Sequence, residues 1–119
     1  MLLESELQNK IRLKLSKLGF KVFRNNTGAW KHPSGRWISY GLCEGSSDVI
    51  AFKKVKIKPS MIGKDIAIFC AIETKSPTKS KTTEKQKNFI TVVRESGGFA
   101  CIVRSENDLE KYLIENEFI

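Results

Sequence analysis

The chain has one histidine, His32, and three widely spaced cysteines, Cys43, Cys70 and Cys101, with no Cys-x-x-Cys pair. That is too few soft ligands for a zinc site. An odd number of cysteines gives no disulfide framework. Cys70 and Cys101 stand in apolar runs, where a reduced thiol behaves as a small hydrophobe, so a reducing, cytoplasmic compartment is expected. Long hydrophobic stretches are missing too. The longest, residues 66–72, is far too short to span a bilayer, which excludes a membrane role for it. The first residues carry Glu4 and Glu6 where an export signal would be basic, so no such signal is expected. Repeats and low-complexity tracts are absent.

What the chain does have is positive charge. Lysine and arginine number 21 against 13 acids, a formal charge of +8 and a pI near 9.5. On 119 residues, enough for one domain (1–119), that excess points to a polyanionic partner or serves solubility alone.

Leu3, Leu7, Ile11, Leu15 and Leu18 recur at helical spacing, which predicts an amphipathic helix over residues 2–18 ended by Gly19. Residues 20–24 alternate as a half-buried strand. Residues 25–44 are rich in turn chemistry and hold Trp30, Lys31, His32, Arg36, Trp37 and Tyr40, which reads as a loop with a short, irregular hairpin. A strand is predicted from Asp48 towards Ile57. Residues 66–72 read as a strand covered on both faces, ending at Glu73-Thr74-Lys75. Thr82 or Thr83 caps a helix to about Glu95, with Phe89, Ile90 and Val93 inward. Phe99–Val103 is a buried strand, and Ser105 caps a last helix. The order αβββαβα predicts an α/β fold with a mixed central sheet flanked by helices, and a right-handed parallel crossover through the 84–95 helix.

Asp48 opens one predicted strand, and Glu73 and Lys75 close another. Residues two apart on a strand share a face, so Glu73 and Lys75 project together. Antiparallel pairing of the two strands would bring Asp48 beside them. Two carboxylates and an ammonium suit Mg²⁺-assisted phosphodiester hydrolysis. Asp48 and Glu73 are the candidate ligands, the Thr74 backbone carbonyl is a further oxygen, and Lys75 positions the attacking water or stabilises transition-state charge. Taken alone, a Glu-x-Lys step is also the commonest kind of surface charge pair.

Gly45-Ser46-Ser47-Asp48 followed by Ala71-Ile72-Glu73-Thr74-Lys75 resembles the PD-(D/E)xK nuclease motif, and more narrowly the VRR-NUC family in its short, stand-alone phage form. The similarity extends to Glu4-Ser5-Glu6-Leu7-Gln8, Arg24-Asn25-Asn26-Thr27-Gly28, Thr83-Glu84-Lys85-Gln86 and Gly97-Gly98-Phe99-Ala100. Ser47 departs from it, standing where the family has proline. The resemblance implies a restriction-endonuclease-like fold and a Mg²⁺-dependent endodeoxyribonuclease, with Mn²⁺ able to substitute. It also implies a homodimer acting on branched DNA, four-way junctions above all, in the cytoplasm of a bacterial host. No small-molecule cofactor and no membrane are implied. The rival readings are a non-catalytic nucleic-acid-binding domain and a restriction-type duplex nuclease.

The family also implies a helix glutamate near the metal. At about 100° per residue the apolar stripe of the first helix centres near Glu4 and not Glu6, which favours Glu4 as the inward carboxylate. Its alternative is a favourable charge at a helix start. Gln86 can hydrogen-bond a metal water or a phosphate, or be an ordinary helix-surface residue. Arg24, Asn26, Lys31, Arg36, Lys79, Lys81 and Lys85 are candidate nucleic-acid contacts, as phosphate binders without sequence preference. Lys54, Lys56 and Lys58 would share a face of the second strand, either as phosphate contacts or as a solvated edge. Trp30 and Trp37 can stack on bases or wedge into a junction, or pack against the fold or a partner subunit.

Overall fold

The computed structural model describes residues 3–78 and 81–118. Among these the chain is mixed α/β, in the order α1 (Glu4–Lys17), β1 (Lys21–Arg24), β2 (Gly28–Lys31), β3 (Trp37–Tyr40), β4 (Val49–Phe52), a 3₁₀ turn (Pro59–Met61), β5 (Cys70–Thr74), α2 (Glu84–Glu95), β6 (Phe99–Val103) and α3 (Glu106–Glu115). It divides into two compact units, Met1–Lys53 and Lys54–Ile119. No helix among the described residues is long and apolar enough to cross a membrane.

In the first unit, α1 packs against β1, and β1 pairs antiparallel with β4 from Lys21↔Phe52 to Arg24↔Val49. The α1 boundaries follow the sequence: the Leu3 N–H donates to Glu6 Oε2, half of a capping box, and Gly19 follows the last turn. Its half-buried line is Gln8, Arg12 and Leu15, while Leu3, Leu7, Ile11 and Leu18 stay exposed. Phe23 and Phe52 stack with their centroids 5.7 Å apart.

Between β1 and β4 stands a regular hairpin. Its strands pair from Gly28↔Tyr40 to Lys31↔Trp37. The Gly35 N–H donates to the His32 carbonyl and the His32 N–H to the Arg36 carbonyl. With Gly35 at φ +93°, this is a tight turn followed by a glycine bulge, a standard closure for a three-residue loop. At the open end the Tyr40 ring lies across Gly28, so a larger residue there would make this exposed ring turn aside.

In the second unit β5 and β6 run parallel, from Cys70↔Phe99 to Thr74↔Val103, with α2 as the crossover. Thr83 caps α2 by accepting from the Gln86 N–H, and Ser105 caps α3 by accepting from the Asp108 N–H. The core of this unit is β6. Phe99, Cys101 and Val103 pack against Leu109, Tyr112 and Leu113 of α3, and Ile90 and Val93 of α2 are buried as well. Burial pushes the Cys101 thiol up from its ordinary range, and Cys70 adds to the rise while Arg94 opposes it.

Three expectations are corrected. The ladders form three two-stranded sheets, β1–β4, β2–β3 and β5–β6, and five strands precede α2 where three were expected. The strand from Asp48 stops at Phe52, because β1 offers only four residues to pair with it. Residues 53–58 are irregular, so Lys54, Lys56 and Lys58 are not aligned on a strand face. The apolar run 66–72 is strand only from Cys70, since β6 begins at Phe99 opposite it. Ile66 and Ile68 are exposed, while β6, also expected to be buried, is so.

Val93 is fully buried, so Val93→Ala removes two buried methyls and leaves a cavity. A destabilisation of about 2–3 kcal/mol is expected in urea unfolding, against less than about 0.5 kcal/mol for Leu13→Ala on the exposed side of α1. With its thiol held protonated and enclosed, Cys101 should resist iodoacetamide at about pH 8 while the exposed Cys43 and Cys70 are alkylated. Mass spectrometry of the native protein reads this directly.

Candidate active site

A parallel pair needs a crossover connection, here the helix α2, and a helix that runs back over the strands starts at their C-terminal ends. The first turn of α2 therefore meets the end of β5, where Glu73 and Lys75 stand. The alternation is as predicted: Ala71, Glu73 and Lys75 are half-buried on the face that α2 covers, and Cys70, Ile72 and Thr74 are exposed. Gln86, in the first turn of α2, connects the two. Its Nε2 donates to Glu73 Oε1 at 2.8 Å, and its Oε1 accepts from Lys75 Nζ at 2.8 Å. The same Oε1 accepts from the Thr83 N–H at 3.0 Å, closing a capping box. Lys75 Nζ lies 3.4 Å from Glu73 Oε1, and the Lys75 side chain is 11% exposed against 32% for Glu73. A lysine so enclosed is no free surface charge. Ala71, Ile72, Glu73, Lys85, Gln86, Phe89 and Ile90 line a hollow beside this cluster.

In the first unit Asp48 is exposed, at the residue before β4. The loop that delivers it is tied by Asn25, the one buried polar residue among the described ones. Asn25 Nδ2 donates to Ser46 Oγ at 2.7 Å and to the Ser47 carbonyl at 2.9 Å. Its Oδ1 accepts from the Leu42 N–H at 3.1 Å, and its own N–H donates to the Asp48 carbonyl at 2.8 Å. Sequence reading missed this residue as a structural member and saw only turn chemistry around it.

A family model for the VRR-NUC domain matches residues 4–107. The chain belongs to the VRR-NUC family. It is thus a nuclease domain, with DNA as its substrate class, and the match runs through both units. No curated protein and no solved structure matched it.

The VRR-NUC domain presents its other candidates as follows. Glu4 is exposed in the first turn of α1, one turn before Gln8 on the half-buried line, while Glu6 folds back to cap the helix. Arg24, Asn26, Lys31, Arg36, Lys81 and Lys85 are exposed, as phosphate contacts must be, with Arg24 Nε donating to Asn26 Oδ1 at 3.2 Å. Lys79 lies outside the described residues. Thr74 is the last residue of β5, opposite Val103.

Among the described residues no three acidic, histidine or cysteine side chains are grouped. Glu73 Oε1 is occupied by Gln86 and Lys75, and its Oε2 has no partner among the described residues. That donor set fits a hard cation such as Mg²⁺, which takes one or two carboxylates and fills its shell with water and phosphate oxygens, and does not fit an all-protein cage.

Asn25→Ala should destabilise the domain by about 1–3 kcal/mol, because it strips partners from buried polar groups. A lowered urea midpoint with an unchanged slope is the expected result.

Proposed function

We propose that this VRR-NUC domain is a Mg²⁺-dependent endonuclease that hydrolyses phosphodiester bonds in structured DNA, above all four-way junctions, as a homodimer. The observation that carries the reading is the Glu73–Gln86–Lys75 cluster. It is a carboxylate oriented by an amide and neutralised by an enclosed ammonium, at the C-terminal end of a strand and the start of a helix.

Glu73 and Asp48 are assigned as the metal carboxylates and the Thr74 carbonyl as a further oxygen. Bound Mg²⁺, or Mn²⁺ in its place, supplies Lewis acidity and a water of lowered pKa. Lys75 holds the attacking water or offsets charge growing on the phosphoryl oxygens. Gln86 fixes the rotamers of both Glu73 and Lys75, as the partner of a metal ligand does. Glu4 is the helix glutamate of the site. Arg24, Asn26, Lys31, Arg36, Lys81 and Lys85 hold the DNA backbone through charge and hydrogen bonds, without reading sequence. A two-fold dimer offers two such sites for paired nicks across a junction. The exposed Leu3, Leu7 and Ile11 of α1 give a second copy an apolar stripe to cover.

Cleavage should be assayed on four-way, flapped, splayed and linear duplex DNA with Mg²⁺, Mn²⁺ or EDTA. Four-way junctions should be cut fastest, and EDTA should stop the reaction. Asp48→Ala and Glu73→Ala should each remove activity by about 100-fold or more while leaving the circular dichroism spectrum and most of the DNA affinity in place. Gln86→Ala should cost about 10–100-fold. Full activity in either carboxylate variant would end this assignment. Binding without cleavage on every substrate would make the chain a nucleic-acid-binding domain.

A further inference from the structure

The hairpin β2–β3 carries both tryptophans of the chain, and they face opposite ways. Residues directly opposite on an antiparallel pair share a face. Trp37 stands opposite Lys31, and on the same face Ala29 stands opposite Ser39. Trp30 shares the other face with Ile38 and Tyr40, and its ring leans on His32 at 5.7 Å. The small Ala29 and Ser39 leave the Trp37 indole uncovered, at 66% exposure against 49% for Trp30. An indole held open on a two-stranded ribbon, with a cation across from it, offers a free π-face beside a positive charge, on which a partner can stack.

Charge says what does. Between Glu6 and Glu44 the sequence has eight lysines and arginines and no aspartate or glutamate. A second copy of the same hairpin would set like charges against each other, whereas a nucleic acid brings phosphates to the cations and π-faces to the indole. We propose that the Trp37–Lys31 face is a stacking platform for an unpaired nucleobase of the DNA substrate, with Lys31 on the adjoining phosphate. This rests on the nuclease reading and adds that the hairpin recognises the unpaired bases of a branched or frayed substrate. A paired base inside a duplex offers no free face to Trp37, so this contact discriminates by structure and not by sequence.

Binding is measured in EDTA, which separates recognition from chemistry. In the full-length Trp30→Phe variant, Trp37 is the only tryptophan, and its emission should be quenched by a twelve-nucleotide oligothymidylate and little changed by a blunt duplex. Trp37→Ala should weaken oligothymidylate binding about tenfold and duplex binding by less than about twofold, and Trp37→Phe should restore most of the loss. Emission that does not respond while anisotropy shows binding would overturn the proposal, as would equal weakening for both DNAs. So would Trp37 emission that tracks protein concentration, with Trp37→Ala dissociating a dimer, since the face would then be a contact between copies. Inactivity of the wild-type protein in Mg²⁺ would sink the nuclease reading while leaving the platform standing. An unquenched Trp37 in a protein that cuts would do the reverse.

Discussion

The parallel pairing of β5 with β6 is the constraint on which the proposed chemistry depends. Two parallel strands cannot be joined by a tight turn, so the chain must leave β5, cross back over its face and return. The crossover is α2, and its first turn comes to the end of β5, where the apolar strand gives way to Glu73 and Lys75. Gln86 is what the two elements share. Its carbonyl oxygen has two lone pairs and takes the Thr83 N–H and the Lys75 ammonium; its amide nitrogen donates to Glu73. In an ordinary capping box the third helical residue serves only the helix. Here the interaction that starts α2 is also the one that aims the carboxylate, so a loosened helix start is a loosened site.

The first unit meets the same problem by a related device. Asp48 belongs to a loop, and a loop has no ladder to hold it. Asn25 supplies the missing order from within: one buried amide bonds to Leu42, Ser46 and Ser47, and the adjoining backbone N–H takes the Asp48 carbonyl. Each unit thus spends one side-chain amide on fixing what lies next to an acidic residue. An amide suits this work because it donates and accepts in fixed directions and carries no charge that would compete with the carboxylate.

Much of this was legible in the sequence, and the failures have a common cause. Helical spacing, the Thr83 cap and the Ser105 cap placed the starts of three helices within a residue or two, and the period-two rule placed Glu73 and Lys75 on one face. The Thr83-x-x-Gln86 spacing was the available sign that Gln86 had a structural task. Strand lengths were misread at residues 48–57 and 66–72, because an apolar run records a preference while a ladder is only as long as its partner. Phe99 and Lys21 set those limits from elsewhere in the chain. Asn25 was missed for the same reason. Its partners are 17 to 22 residues away, and no local pattern distinguishes a buried asparagine from a turn asparagine.

The distribution of charge follows from what a nuclease must reconcile. On the proposed mechanism its carboxylates have to come close to a phosphate that repels them, so positive charge must stand with them. In the second unit Lys75 already lies against Glu73, and Lys81 and Lys85 flank the start of α2. The acids of α3 are different: Glu106, Glu110 and Glu115 are exposed, with Lys111 the only cation on that helix. On the proposed function, a polyanion approaching this unit would be repelled from α3 and drawn to the first turn of α2, where backbone N–H groups and the helix dipole would add to the same pull. The first turn of α2 is also where Gln86 holds Glu73. On the proposed function, one helix end would thus serve three tasks that reinforce one another: it orients the carboxylate, balances its charge and would attract the substrate.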